Sequence, residues 1–181
     1  MRALGVLMIV CLVVFARATA GAAEAGQGYG AWHWEAELDR MEDTQTVRVY
    51  THALAPVTLR WDPVRPVLLV ACFRDTTYVL VDVKTFLTHD RVAVAWRLDR
   101  EPPIRGTYPL TRDGETFILA HGAAAIDMAR NWYGRERVLV EVAPFDGQAR
   151  QFEFDIRDLR ANLGRLALAC HWPGGLDGEG G

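Results

Sequence analysis

The chain carries short runs in which hydrophobic and polar residues alternate, a pattern typical of strands that bury one face. The clearest run is RVAVAWRLD at residues 91–99, where every second side chain is large and apolar. Further β-rich runs fall at residues 46–54, 67–73, 78–83, 108–110, 116–119, 138–145 and 151–156. The pattern predicts a mainly β fold of about eight strands.

Short polar links between consecutive runs predict hairpins. Such links stand at residues 75–77, 112–114 and 146–147, and the last two contain the Asp-Gly dipeptide that favours tight turns. Because hairpin-connected strands pair with their neighbours in sequence, the expected fold class is an antiparallel β-sandwich or a partly open barrel.

Two segments change to a helical period. Residues 122–133 place apolar side chains on one face, and Gly134 is a suitable stop. Residues 158–170 carry apolar side chains at spacings of 4, 3 and 4, namely Leu159, Leu163, Leu166 and Cys170. Gly164 weakens this second helix by about 1 kcal/mol relative to alanine. We therefore expect one inserted helix and one C-terminal helix packed against the strands.

Residues 1–20 have the features of a cleavable signal peptide. Arg2 supplies the positive start, residues 3–15 are continuously apolar, and Ala18-Thr19-Ala20 fits a cleavage site. The apolar run is shorter than the roughly 20 residues of a stable anchor, although a retained anchor is the alternative. The expected organisation is a signal peptide at 1–20, a flexible linker at 21–31, a single β-rich domain at 32–172 and a disordered tail at 173–181.

The distribution of charge argues against some classes of binding partner. The 20 basic and 23 acidic residues are interspersed, for a formal net charge of −3. The chain has no basic stripe of the kind that binds a phosphate backbone, which argues against nucleic acid and against anionic membrane surfaces. No second apolar stretch is long enough to cross a bilayer, so we expect no stable membrane span after signal cleavage. An exported bacterial protein with the disulfide described next is expected in the periplasm.

Cysteine placement predicts a crosslink. Cys72 and Cys170 lie downstream of the leader, whereas Cys11 lies within it. An even number of cysteines in an exported protein predicts a disulfide. Cys72 is expected mid-strand and Cys170 on the apolar stripe of the last helix, so both side chains are expected to face the core. Two buried free thiols are the alternative.

The sequence offers no clear catalytic motif, and we assign no catalytic residue. Serine is absent, which excludes serine nucleophiles. The five histidines are not spaced as metal ligands, and we expect neither a metal nor a cofactor. The pairs Glu35/Glu37 and Glu153/Asp155 share strand faces, so a carboxylate-based hydrolase stays open beside the ordinary interpretation of solvated strand faces.

Three residues are candidates for protein contacts. Arg97 and Asp99 lie on the strand face opposite the large apolar side chains. They form either a surface ion pair worth at most about 1 kcal/mol or part of a partner-binding patch. Trp61 stands between charged residues near prolines and is the tryptophan expected to be exposed. Because tryptophan and arginine dominate binding hot spots, we predict binding at Arg97, Asp99 and Trp61.

The order of several short motifs resembles the VasI/TagO family of small periplasmic proteins associated with type VI secretion. The motifs cover residues 32–172 and are an early Trp32 or Trp34, Glu42-Asp43-Thr44, LLVACF around Cys72, VAWRLD, RQFEFDI and a closing LALACHW. The chain departs from the pattern after the strand at 152–154, where residues 155–158 stand in place of a glycine. The runner-up is the invasion-associated locus B-like group, which shares the plan of an exported β-domain with a disulfide.

The resemblance implies an accessory role in the envelope rather than an enzyme, and it supplies no catalytic residues. The leading hypothesis is a periplasmic non-catalytic binding protein of type VI secretion or of another envelope machine, which acts through contacts with an envelope protein partner. An envelope hydrolase that uses a carboxylate pair and an invasion-associated envelope factor are the alternatives.

Overall fold

The structure is a computed structural model that describes residues 23–59, 62–143 and 147–178. These residues form twelve strands and three short helices. The expected signal peptide and Trp61 lie outside the described residues. In chain order the elements are β1 (Glu24–Gln27), β2 (Trp32–Asp39), β3 (Thr44–His52), β4 (Val57–Leu59), β5 (Asp62–Val64), β6 (Val67–Phe73), β7 (Thr76–Asp82), β8 (Arg91–Leu98), β9 (Ile104–Pro109), β10 (Thr116–His121), α1 (Ala123–Asn131), β11 (Arg137–Val142), β12 (Arg150–Asp155), α2 (Leu159–Asn162) and α3 (Gly164–Ala169).

Two antiparallel sheets face each other across one hydrophobic core. Sheet A has the strand order β1-β2-β3-β6-β7-β10, and sheet B has the order β12-β11-β8-β9. Single bridges join the sheets at two corners, Ala53 with Phe154 and Leu110 with Phe117, but the sheets do not close into a barrel. The predicted antiparallel sandwich is therefore confirmed. Below, the inner face of a sheet is the one turned toward the other sheet.

The helices pack on the inner side of the sandwich. The inserted helix α1 leads into Trp132, whose fully buried ring lies edge-on to Trp96 of β8, with 5.9 Å between centroids. The C-terminal helix is present but not continuous, because Leu163 ends α2 and also precedes α3. The break next to Gly164 still leaves Leu159, Leu163 and Leu166 buried, so the apolar stripe survives the interruption.

One predicted hairpin is wrong. The runs at 108–110 and 116–119 were expected to pair with each other, but β9 pairs with β8 in sheet B and β10 pairs with β7 in sheet A. The two strands meet at the Leu110–Phe117 bridge and at a ring contact between Tyr108 and Phe117, with 6.5 Å between centroids. The segment between them is therefore a corner of the sandwich rather than a hairpin turn.

Both ends of the described chain are more ordered than expected. Residues 24–27, inside the expected linker, form β1 and pair with β2. At the other end, the expected disordered tail begins with turns, and Arg130 donates hydrogen bonds to the carbonyl oxygens of Pro173 at 2.6 Å and Gly175 at 2.7 Å. These contacts hold residues 173–178 against the end of α1.

A disulfide joins Cys72 on β6 to Cys170 at the end of α3, with 5.6 Å between the Cα atoms. Cys72 is fully buried and Cys170 is 6% exposed, as the predicted inward orientation requires. The bond fixes the C-terminal helices over the inner face of sheet A. No helix in the described part of the chain combines the length and apolar character that crossing a membrane would need.

Candidate protein-contact surfaces

The outer face of sheet A carries a line of apolar side chains on adjacent strands. We call Tyr50, Leu69, Leu80 and Ile118 the apolar row, because each is the direct cross-strand partner of the next. All four are half-buried, yet none belongs to the core cluster or to the side chains packed on it. None of the described helices lies over them, since the helices pack on the opposite, inner face.

Other apolar side chains extend the same surface. Ala71 and Tyr78 form the adjacent cross-strand pair, and Phe73 at the end of β6 is 46% exposed. Apolar residues next to one another on an uncovered sheet face make a contiguous patch, unlike scattered single exposed residues. The outer face of sheet A therefore has the composition of an interface core.

Polar groups border the apolar row on its β2–β3 side. His33 stacks on Tyr50 with 5.4 Å between ring centroids, and His52 lies edge-on to both rings. The Tyr50 hydroxyl donates a hydrogen bond to Glu35 at 3.1 Å. Partial burial, and then the Glu35 carboxylate, raise the pKa of Tyr50. Partial burial and the nearby charge of Arg65 lower the pKa of His52, so its imidazole is neutral at pH 7.

The outer face of sheet B carries a pocket beside Arg97. Ala95 of β8 lies directly between Arg105 of β9 and Glu141 of β11 in the strand register. Because the alanine side chain is short, Arg105 and Glu141 reach across it, with 3.8 Å between nitrogen and oxygen. Glu141 also accepts a hydrogen bond from Gln151 at 2.7 Å. This bridge forms one wall of the pocket, whose volume is about 280 Å³.

Arg97 lines this pocket, but Asp99 does not. Asp99 follows the end of β8 in a left-handed conformation (φ 45°), and its carboxylate accepts the backbone N–H groups of Glu136 at 3.1 Å and Arg137 at 2.9 Å. No ion pair joins Arg97 to Asp99, although both residues lie in the described part of the chain. Asp99 instead fixes the loop between α1 and β11. Its carboxylate also lies 3.9 Å from the guanidinium of Arg135 in that loop.

Comparison with protein families assigns the chain to one of them. The family model described as "Type VI secretion system VasI, EvfG, VC_A0118" matches residues 16–172. The chain belongs to the VasI family. VasI-family membership confirms the resemblance seen in the motifs and identifies a protein associated with type VI secretion.

Two further comparisons give no information about the function of this VasI-family protein. The curated proteins give no match. Among solved structures, the crystal structure of invasion associated protein B from Bartonella henselae is similar, with 11% sequence identity and a TM-score of 0.46, over 81% of this chain and 96% of that one. A likeness at that level carries no argument about this chain.

In each of the two carboxylate pairs proposed for a hydrolase, arginine contacts at least one of the acids. Arg48 lies 4.0 Å from Glu35 and 3.6 Å from Glu37 on the outer face of sheet A. Asp155 accepts a hydrogen bond from Arg157 at 3.0 Å, and this bond is the main cause of its lowered pKa. A general acid needs a raised pKa, so Asp155 is poorly suited to that role. No group of three or more His, Cys, Asp or Glu side chains among the described residues is arranged to hold a metal ion.

Sequence reasoning missed the apolar row. Its two central members are Leu69 in the run VLLVACF and Leu80 in the run TTYVLVD. Both runs predict strands, but no surface role was predicted for the outer face of either strand. Near-continuous apolar runs of this kind indicate strands with apolar side chains on both faces. That signal was present in β6 and β7. Tyr50 and Ile118, however, come to lie beside these strands through the pairing register of β3 with β6 and of β10 with β7, which no local sequence pattern predicts.

Proposed function

We propose that this VasI-family protein is a periplasmic, non-catalytic accessory protein of the type VI secretion apparatus. It acts by binding another envelope protein through the outer faces of sheets A and B. Family membership supports the link to the apparatus. The exposed strand faces, together with the absence of a poised carboxylate pair among the described residues, favour a binding role over hydrolysis.

The observation that carries the proposal is the apolar row. Tyr50, Leu69, Leu80 and Ile118 place one aromatic and three branched apolar side chains side by side on one rigid sheet. The cores of protein interfaces are depleted in charge and enriched in aromatic residues, with polar groups around them. The row matches that composition, since His33, Glu35 and Arg48 lie along its border.

The three contact residues predicted from the sequence enter the proposal differently. Arg97 is kept as a contact residue, because its side chain lines an open pocket on sheet B. Asp99 contributes through the loop that it holds, which keeps the end of β8 beside β11. Trp61 lies outside the described residues, and its role stays a prediction.

In-cell photo-cross-linking tests the proposal. A photoreactive amino acid at Leu80 should form cross-links to an envelope component of the type VI apparatus, and the same amino acid at the exposed Arg112 should not. The variant Leu80→Asp should reduce type VI secretion, because burying a charge in an apolar contact is costly. Leu168→Asp is the matched control, because Leu168 is 79% exposed on α3, away from the apolar row.

The proposal fails in either of two cases. Cross-links from Leu80 and Arg112 that are equal in yield and identity would show that the row is not a contact surface. Wild-type secretion by a folded Leu80→Asp variant would show the same. Circular dichroism of both aspartate variants establishes that the fold is retained.

A further inference from the structure

We propose that the pocket beside Arg97 binds a carboxylate presented by a partner protein. The carboxylate comes from an acidic side chain or from a chain terminus, and the two sources share the same chemistry. The inference rests on the proposed function for the existence of a partner. The chemistry of the pocket, however, is testable on the isolated protein.

Arg97, which lines the pocket, has an unmatched donor. The Nε atom of Arg97 is buried and has no hydrogen-bond partner. A guanidinium is permanently charged and presents five N–H donors in a planar fork. Leaving a buried polar group unmatched costs free energy. Arg130 and Arg137 also have an unmatched buried nitrogen, but Arg97 is the one that lines the pocket on sheet B. A carboxylate placed in the pocket, against the Arg97 guanidinium, would compensate a charge that no acid of the described residues pairs with.

The acids nearest to Arg97 in the strand register form no ion pair with it. Glu141 is shared between Arg105 and Gln151. Asp99 accepts backbone N–H groups of the loop before β11. Glu153 lies in the same cross-strand row as Arg97 with Leu139 between them, and no ion pair joins the two described side chains. The described part of the chain therefore supplies no carboxylate to Arg97.

The shape and charge of the pocket select a carboxylate on a short apolar stem. Pro103, Leu139 and the small Ala95 side chain line the pocket with apolar surface. A volume of about 280 Å³ holds one side chain rather than a large cofactor. Arg97 and Arg105 stand against the single acid Glu141 in the lining, so the pocket has an excess of positive charge.

Arg105 is placed to join Arg97 in holding the ligand. Its side chain is 71% exposed and lies 3.8 Å from Glu141, a distance beyond a hydrogen bond. An arginine held this loosely can turn toward a second carboxylate with little loss. Paired charge-assisted hydrogen bonds from arginine to a carboxylate are stronger than neutral ones and fix the geometry of the ligand.

NMR titration of the isotopically labelled protein tests the inference with three small probes. N-acetyl-glutamate N-methylamide presents a side-chain carboxylate, N-acetyl-alanine presents a terminal one, and N-acetyl-glutamine N-methylamide is the neutral match. Binding should shift the Nε–H resonance of Arg97 and the backbone resonances of Ala95 and Leu139 with one or both acids, but not with the amide. Arg97→Gln should raise the Kd for the acid at least about tenfold, whereas Arg112→Gln should leave it unchanged.

Each outcome has one meaning. Shifts with only one of the two acids identify the source of the carboxylate and support the pocket. Equal shifts with the glutamine probe, shifts spread over the whole surface, or an unchanged Kd in Arg97→Gln would overturn it. Normal cross-linking from Leu80 together with no probe binding would reject this inference and leave the proposed function standing. Loss of the Leu80 cross-links with intact probe binding would reject the proposed function and leave the carboxylate-binding pocket standing.

Discussion

Trp172 donates its indole N–H to the hydroxyl oxygen of Thr77 across 2.8 Å, and both residues are buried. Thr77 of β7 is the cross-strand partner of Cys72, whose sulfur is bonded to Cys170 only two residues before Trp172. A covalent bond and a buried hydrogen bond thus fix the same end of the chain to adjacent strands of sheet A. The C-terminal segment is a structural part of the sandwich.

The hydrogen bond between Thr77 and Trp172 should contribute measurably to stability. Thr77→Val removes the acceptor and leaves the buried indole N–H unmatched, so we expect a loss of about 1–3 kcal/mol in the free energy of unfolding. Urea denaturation followed by tryptophan fluorescence measures the loss. The double variant with Trp172→Phe should lose less than the sum of the two single losses, because the second change removes the unmatched donor. Strict additivity would contradict the role assigned to this bond.

The disulfide should stabilise the fold more than any single hydrogen bond. Cys72 and Cys170 are 98 residues apart, and closing a loop of that length contributes about 4–5 kcal/mol in the chain-entropy treatment. The double variant Cys72→Ala/Cys170→Ala should therefore unfold at a markedly lower urea concentration than the oxidised protein.

Reduction of the native protein provides the matched comparison, because it breaks the bond without changing the sequence. Reduced protein should approach the stability of the double alanine variant. Intact mass after alkylation should show two labelled thiols only when reductant is added first. Labelling of both thiols without reductant, or equal stability of the oxidised and alanine forms, would contradict the crosslink.

Local patterns predicted the strands well but not how every strand is paired. The run at 91–99 became β8 at Arg91–Leu98, because alternating large apolar side chains have one arrangement that buries them all. The link at 112–114 does form a turn, with Asp113 accepting the N–H of Glu115 at 2.8 Å. Turn chemistry is local, however, and it cannot show that the strands on either side belong to different sheets.

The candidate surfaces were predictable only in part, for the same physical reason. The alternation in β8 placed Arg97 on the outer face, where it lies. The pocket itself depends on Arg105 and Glu141, which come from strands on either side of β8 and meet over Ala95. Similarly, the left-handed turn at Asp99 directs its carboxylate to a loop rather than along the strand. Contacts between distant segments decide both features, and no local spacing encodes them.

Two variants can separate the hydrogen bonds that Asp99 accepts from the effect of its negative charge. Asp99→Ala removes the acceptor of two backbone N–H groups and places alanine at φ 45°, so it should lower the free energy of unfolding by about 1–3 kcal/mol. Asp99→Asn keeps an oxygen acceptor and tolerates the left-handed conformation, so it should cost much less. Thermal unfolding of the two variants measures the difference. Equal losses would mean that the charge, through Arg135, matters more than the hydrogen bonds to the loop.

The pH dependence of stability should report on Asp155. Hydrogen bonds from Arg157, together with the charges of Arg137 and Arg157, hold the pKa of Asp155 below its usual range against the opposing effect of burial. A carboxyl group with a lowered pKa in the folded state stabilises fully above its unfolded pKa of about 4, and that contribution disappears as the pH falls through the lower folded value. Asp155→Asn should therefore be less stable than the wild type by on the order of 1–2 kcal/mol at pH 7, and the gap should close below about pH 4.

Urea midpoints of the two proteins between about pH 7 and about pH 2.5, a range that spans the usual carboxyl pKa, measure this gap. Glu153→Gln is the matched control, since Glu153 is exposed on the same strand, and its gap from the wild type should be small throughout. A difference between wild type and Asp155→Asn that stays constant down to the lowest pH would show that the amide side chain merely packs worse than the carboxyl. A gap that closes on acidification assigns the lost free energy to the ionised carboxylate and its arginine partners, because protonation removes that charge from the wild type as well.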